Sequence, residues 1–321
     1  MKVYVKTPAR LHLGLIDLNG ELGRIFGGLG VGIDRPNVIL EARNSEKFEV
    51  RGEKIETVKT LAEQFLKTYR IKANVSINVK RTIPEHTGLG SGTQLALAVA
   101  TALSKLFNVK ASIQELAITM GRGRRTGVGT AVFDQGGFVV DGGKTLKKET
   151  GRMESFPSLI FSQPFPKDWS FVVAIPNVKK GLAKDEETSA FKALPPMSAE
   201  DVGKICRLTL MKLVPALLER DIKDFGEGLT QIQNVVGDYF AEVQGGRYSS
   251  SATAEGIEFM QKLGAYGAGQ SSWGPAFYGL FREKEVEEVK LKVQDFLRKG
   301  VGGKVFTARA NNRGAYIRVT K

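Results

Sequence analysis

Residues 83–107 read IPEHTGLGSGTQLALAVATALSKLF. The stretch leaves a strand, passes through a turn punctuated by Gly88, Gly90 and Gly92, and enters an apolar helix. Ser91 followed by Gln94 matches the capping-box spacing, which starts the helix at Gly92. Glycines let a backbone approach a ligand closely. The free N–H groups of the first helical turn, with the positive end of the helix dipole, favour an anion. His86, Gly88, Leu89, Gly90, Ser91, Gly92 and Thr93 are therefore candidate phosphate-binding residues, Ser91 and Thr93 adding hydroxyls and His86 a donor. The same glycines and cap would also serve a turn that binds nothing. No Gly-Lys-Ser/Thr follows, so this is not a Walker A loop.

Outward from this segment, strands and helices alternate without a parallel βαβ rhythm, which points to an α+β fold. Before it come strand patterns at residues 2–6 and 11–18, a helix at 56–69 and a strand at 75–79. Seven glycines lie between Gly14 and Gly32, too many for a helix and too dense for an ordinary strand. After it come a helix at 113–121, the basic run Arg122, Arg124 and Arg125, a turn at 126–130, and a strand at 131–140 ending in Asp141-Gly142-Gly143. Pro157, Pro164 and Pro166 mark a link, dividing the chain into domains 1–165 and 166–321. Beyond it, the spacing predicts a strand at 171–175, a long helix at 198–220 kinked at Pro215, and a helix at 252–263. A strand at 276–281, a helix at 283–299 and strands at 305–308 and 315–319 complete the chain.

Composition narrows the chemistry. The 321 residues hold 47 Lys+Arg against 34 Asp+Glu, a formal charge of +13, with 2 His and 1 Cys. The single Cys206 excludes a disulfide framework and a cysteine-rich zinc site, and two histidines exclude a histidine cluster. A metal would have to be a hard cation held by oxygen and substrate phosphate. The basic balance favours an anionic partner: a phosphorylated metabolite, a nucleic acid or a membrane surface. No segment reaches the ~20 apolar residues of a membrane span. The first residues lack a secretory hydrophobic region, so a cytoplasmic protein is expected.

PEHTGLGSGTQLALAVA resembles the phosphate loop of the GHMP kinase superfamily, and GAYGAGQSSWGP at 264–275 resembles its late glycine-rich motif. The stretch TPARLHLGLIDLNGELGRIFGGLGVGIDRP at 7–36 narrows the likeness. With GTAVFDQGGFVVDGG, QGGRY, GQSSWGP and NNRGAYIRV, it is similar to one archaeal-type branch, the β-ribofuranosylaminobenzene or β-ribofuranosylphenol 5′-phosphate synthases. The resemblance implies a ribosomal-S5-domain-2-like N-terminal domain and a ferredoxin-like C-terminal domain. It implies a glycosyltransferase of methanopterin biosynthesis that condenses 5-phosphoribosyl 1-pyrophosphate with 4-aminobenzoate or 4-hydroxybenzoate, releasing pyrophosphate and CO2. Mg²⁺, no organic cofactor and a homodimer go with it; nucleic acid and membrane do not. Many superfamily kinases carry an aspartate base in a Ser-Gly-x-Asp turn, where this chain has Thr126-Gly127-Val128-Gly129. Asp134 would replace it only after rearrangement, and homoserine kinases also manage without such a base.

Set against that reaction, the sequence offers Arg24 as a bidentate clamp for a benzoate carboxylate. Asp17 would ligate Mg²⁺, stabilise the cationic ring intermediate or accept a proton; equally, the two form a salt bridge that shapes the loop. Arg10, His12, Gly269, Gln270, Ser271, Ser272 and Arg313 are expected around the substrate, although His12 suits a structural role as well and Asn311-Asn312-Arg313 also fits a hairpin turn. The basic run at 122–125 reads as a solvated face. The metal ligands are not named by the sequence. Two other functions compete: an ATP-dependent small-molecule kinase on the same scaffold, and an RNA-binding protein, for which aromatic stacking motifs are lacking.

Overall fold

The computed structural model describes residues 1–147, 152–179, 181 and 184–320. Three antiparallel-rich sheets organise them. The first runs Tyr316–Thr320, Lys2–Lys6, Ile39–Asn44, Val75–Arg81 and Glu49–Gly52, with one parallel pair at the last step. The end of the chain thus returns to its beginning, Val319 opposite Val3. Helices Ile55–Thr68 and Ser91–Leu106 pack together over this sheet. The second of them is buried from Gln94 through Ser104, as the run LALAVATAL requires.

The glycine-rich segment resolves into the second sheet as the hairpin Ala9–Asp17 and Arg24–Ile33, with Phe138–Asp141 and Leu159–Gln163 added beyond it. Gly28, Gly30 and Gly32 recur at the strand period of two and face helix Val128–Asp134. A Cβ on Gly30 would lie 2.3 Å from Val128 Cγ1, and one on Gly32 3.1 Å from Val132 Cγ1. The glycines are there so that a helix can lie on a strand.

The third sheet runs Gly267–Gln270, Phe277–Arg282, Trp169–Pro176 and Gly303–Arg309. On one face, Val172, Ala174, Phe277 and Phe281 form a small core with helices Ser251–Lys262 and Val286–Lys299. The other face contributes Phe171, Val173 and Tyr278 to the main core, where the rings of Phe165, Trp169, Phe171 and Phe225 meet at 5.4–5.5 Å, mostly edge-on or tilted. Helix Ile222–Gln244 joins the halves, packing on both Gly267–Gln270 and Ala9–Asp17. Asp221 caps it by accepting from Lys223 N and Asp224 N, and Gly245 ends it in the left-handed region. Buried Gln233 stitches across the seam, donating to Leu13 O at 2.6 Å and accepting from Gln270 N at 2.9 Å.

Four local expectations change. Residues 131–140 are not one strand: helix Val128–Asp134 and the left-handed Gly136-Gly137 turn precede the strand Phe138–Asp141. The Ser91 capping box does not form; Gly90 is the cap residue, left-handed at φ 79°, and Gln94 turns away to donate to Gly129 O at 2.8 Å. The helix expected over 198–220 contains a π-helical turn, Thr209–Leu213. Pro215, at the start of Val214–Glu219, has no N–H for the preceding turn, and the wider turn absorbs that missing donor. Helices Lys184–Ala193 and Ile222–Gln244, both unanticipated, complete the fold.

Candidate active site

The strand Ala9–Asp17 passes beneath the N-terminus of helix Ser91–Leu106, and two connected cavities open along that line. The outer one is a groove of about 760 Å³ floored by Gly88, Gly90, Ser91, Gly92 and Thr93 and walled by His86, Arg122 and Arg124. Its loop is held by the first and last parts of the chain. Gly88 O accepts from Arg10 Nη1 at 2.5 Å and from Ser271 Oγ at 2.7 Å, and Leu89 O accepts from Arg10 N at 3.2 Å. The main-chain N–H groups of Ser91, Gly92 and Thr93 have no partner within the helix, and the hydroxyl of Ser91 has no partner among the described residues.

Arg122 supplies the counter-charge. Its Nε is buried without a partner, no acid pairs with it among the described residues, and a Cβ on Gly92 would stand 3.2 Å from its Nη1. Burial and the neighbouring Arg124 lower its pKa. A guanidinium pressed against the positive end of a helix repels it unless an anion lies between the two.

The inner cavity, about 120 Å³, is smaller and has one aromatic wall. Phe191, Phe240 and Trp273 meet edge to face at 4.7–5.7 Å and form its wall. His12, Gly14 and Leu15 form its floor, and Gln233, Gln244, Gln270, Tyr248 and Arg247 line it with polar groups, Arg247 paired with Asp238 at 2.7 Å. Arg10, Arg125, Thr126, Glu187, Ser272 and Trp273 line both cavities and so define their junction. Arg125 stacks its guanidinium 4.4 Å from the Phe191 ring centroid and pairs with Glu187 at 2.9 Å.

Burial sets the protonation states here. It lowers the Arg10 pKa to about 10, with Glu187 opposing, and leaves Arg10 charged at neutral pH. Burial, reinforced by Arg10, holds His12 well below the usual histidine range, so its imidazole is neutral and within 3.4 Å of Thr126 Oγ1 through Nε2. Behind the junction, burial pushes the Asp141 carboxyl up to about 7 against the N–H groups of Gly143, Gly127 and Val128, which favour its charged form. Asp141 thereby fixes the start of helix Val128–Asp134 and, with it, Thr126.

The candidate residues divide. The structure brings Arg10, His12, His86, Gly88, Gly90, Ser91, Gly92, Thr93, Gln270 and Ser272 around the cavities, with Ser271 buried as the tie to Gly88; Leu89 lines neither cavity and packs its side chain into the main core. Gly269 lies behind them, its Cα against Gln233. Asp17 and Arg24 line neither cavity. Asp17 closes its own turn by accepting from Asn19 N and Gly20 N at 2.8 and 2.9 Å. The Arg24 fork is engaged by Gly142 O and Gly143 O at 2.8 and 2.9 Å, so the two do not pair with each other. Arg313 is exposed on another face, in a turn where Asn311 Oδ1 accepts from Arg313 N and Asn312 binds Phe165; the turn links strands Gly303–Arg309 and Tyr316–Thr320 of two different sheets and is not a hairpin. Asp134 is exposed at the end of its helix, away from both cavities.

The run at 122–125 is not a solvated face: Arg122 walls the groove and Arg125 sits at the junction. Its position directly before Thr126-Gly127-Val128-Gly129 was the available signal. At the kinase-base position, Gly129 has its Cα against Thr93, where a Cβ would come within 3.1 Å of Cγ2. Among the described residues, no group of three or more His, Cys, Asp or Glu side chains forms a metal cluster, and no helix is long and apolar enough to cross a membrane.

Residues 56–142 match the family of GHMP kinases N-terminal domains and residues 213–299 that of GHMP kinases C-terminal domains. A β-ribofuranosylphenol 5′-phosphate synthase of Archaeoglobus fulgidus is 37% identical over 98% of this chain and 99% of its own. One from Methanothermobacter thermautotrophicus is 33% identical over 99% of each. The crystal structure of homoserine kinase from Cytophaga hutchinsonii shares the fold at a TM-score of 0.69 with 17% identity, covering 99% of this chain and 97% of that one.

Proposed function

Because the chain belongs to the GHMP kinase family, and within it to the β-ribofuranosylphenol 5′-phosphate synthases, we propose that it condenses 5-phosphoribosyl 1-pyrophosphate with 4-hydroxybenzoate or 4-aminobenzoate. The observation that carries the assignment to this geometry is the junction: a cationic groove meets an aromatic pocket at Arg10 and Arg125. The phosphorylated sugar occupies the groove, its diphosphate on the helix N-terminus and Arg122. The benzoate ring occupies the inner pocket. The ring carbon that attacks is the one bearing the carboxylate, so that carboxylate must lie at the junction, beside Arg10 and Arg125, and the para substituent points inward to the amides of Gln233, Gln244 and Gln270.

The electrons balance without a base. The bond from the anomeric carbon to diphosphate breaks with its pair leaving on oxygen. A π pair of the ring forms the new C–C bond, and the pair of the C–COO⁻ bond returns to the ring as CO2 departs. No proton is gained or lost overall, which agrees with a neutral His12 and with glycine at position 129. Pocket burial favours loss of the carboxylate charge as neutral CO2.

Mg²⁺ belongs to the same proposal. The groove offers oxygen donors, the hydroxyls of Ser91 and Thr93, without a preformed carboxylate cage, which suits a cation that arrives largely on the diphosphate. Bound there, it would neutralise the leaving group. Ser91 and Thr93 hold the diphosphate's near oxygens while the helix N–H groups orient it for departure. The reading extends to a cytoplasmic homodimer.

The test is turnover without nucleotide. Purified protein given the phosphoribosyl substrate, 4-hydroxybenzoate and Mg²⁺ should release pyrophosphate and CO2 in equal amounts, and chelation should abolish it. Phosphoryl transfer dependent on ATP, with no CO2 released, would reverse the assignment in favour of a kinase.

A further inference from the structure

We propose that Glu187 is a catalytic residue of this reaction, its carboxylate facing the anomeric carbon and stabilising the positive charge that develops there as diphosphate departs. The inference rests on the function proposed above. Carbon–oxygen cleavage ahead of carbon–carbon bonding leaves oxocarbenium character on the sugar, and only charge complementarity that grows in the transition state accelerates that step. The junction where this must occur is otherwise lined by two cations, Arg10 and Arg125, which suit the anions on either side and oppose a cation between them. Glu187 is the one carboxylate lining both cavities among the described residues; Glu85, the other acid of the groove, is paired with Lys54 at 2.5 Å and lines the groove alone.

The side chain is aimed rather than free. Arg125 Nη1 lies 2.9 Å from Oε2, and Trp273 Nε1 donates to Oε1 at 3.0 Å. Arg125 is itself clamped by its stack on Phe191. Ala190 is buried and Phe191 packs into the aromatic wall, so helix Lys184–Ala193 carries the carboxylate on the same face that closes the inner pocket. Pinned at both oxygens, the group is oriented toward the junction and kept from collapsing onto the sugar as a nucleophile. During the step it neither gains nor loses a proton. The breaking bond's electron pair leaves on diphosphate, and the anomeric carbon receives the ring's π pair.

Steady-state kinetics of Glu187→Gln and Glu187→Asp test this, once wild-type protein has been shown to release pyrophosphate with the benzoate. Absence of wild-type turnover would defeat the functional reading itself and is thereby distinguished. Glu187→Gln should lower kcat on the order of 10²-fold, with both KM values within about threefold and the melting temperature unchanged. Glu187→Asp, which keeps the charge, should recover about tenfold of that loss. The slow release of pyrophosphate from the sugar substrate without benzoate should fall in parallel. An unchanged kcat with lower KM would overturn the proposal, because Glu187 would then be a resident anion that substrates displace. Equal loss in both variants with a lowered melting temperature, at temperatures where both remain folded, would also overturn it and make Glu187 a structural ion pair.

Discussion

The carbonyl oxygen of Gly88 accepts the Ser271 hydroxyl at 2.7 Å across 183 residues of sequence. The contact joins the phosphate loop to the late glycine motif and leaves no room between them. A Cβ on Gly88 would lie 2.0 Å from Ser271 O, at a φ of +83° that L side chains rarely adopt. Gly88→Ala should therefore cost more than about 2 kcal/mol of stability and raise the KM for the phosphoribosyl substrate. Urea unfolding and kinetics on the same preparation check both. An alanine variant of native stability would mean that the loop is not clamped.

Arg122 leads to the opposite sign. Its guanidinium is partly buried, has no acidic partner among the described residues and lies against a helix N-terminus. Replacing it by Met keeps the stem and removes the repulsion, so Arg122→Met should be as stable as wild type or more stable by about 1 kcal/mol. The KM for the phosphoribosyl substrate should rise at least about tenfold, equivalent to about 1.4 kcal/mol of lost diphosphate binding. Lost stability with intact affinity would remove Arg122 from the diphosphate site.

The sequence made the phosphate loop and most surrounding elements legible because each depends on local signals: glycine spacing, apolar period and terminal charge. It misassigned residues 131–134 because a short apolar run fits helix and strand alike, and the deciding contact, Asp141 on Gly127, reaches back across fourteen residues. Arg122 and Arg125 look like surface residues in any local reading. They become interior only because the groove and helix Lys184–Ala193 close around them. Asp17 and Arg24 illustrate the converse: residue type and motif suggest chemistry, while folded contacts commit both to turns.

Asp141 gives the protein a pH-dependent stability. Burial raises its folded pKa to about 7 from an ordinary 3.8, so the folded state binds the more protons between those values. The stabilisation is complete below the unfolded pKa and is lost as pH rises through the folded one. Between pH 5 and 8, wild type should lose on the order of 2–3 kcal/mol relative to Asp141→Asn, whose side chain does not titrate. The variant also carries a constant deficit of about 1 kcal/mol, because its amide oxygen still accepts one of the Gly143 and Gly127 N–H groups while its NH2 group cannot accept the other. Denaturant titrations at several pH values give the difference directly. A gap between the two proteins that does not change with pH would show that Asp141 stays ionised throughout.

Ser91 distinguishes sequence from structure most cheaply. A capping box would make Ser91→Ala cost about 1 kcal/mol. Here Gly90 takes the cap position and no side-chain cap forms, so the variant should unfold within about 0.5 kcal/mol of wild type. Its defect should appear instead in the Mg²⁺ concentration needed for half-maximal turnover. A destabilised variant with normal Mg²⁺ dependence would restore the capping role.

Arg125→Lys separates the two anions at the junction. Lysine keeps the charge but loses the planar fork and the stack on Phe191, so it should still attract diphosphate while gripping a carboxylate poorly. If the benzoate carboxylate lies beside Arg125, kcat/KM for the benzoate should fall at least about tenfold, while the KM for the phosphoribosyl substrate moves by less than about threefold. Glu187 would retain the Trp273 hydrogen bond, so the aromatic wall should remain in place and the melting temperature should change little. Equal losses toward both substrates would assign the guanidinium to the diphosphate. The carboxylate would then fall to Arg10, whose Nη1 is already committed to Gly88 O, or to Arg247, which lines the inner pocket and pairs with Asp238 at 2.7 Å.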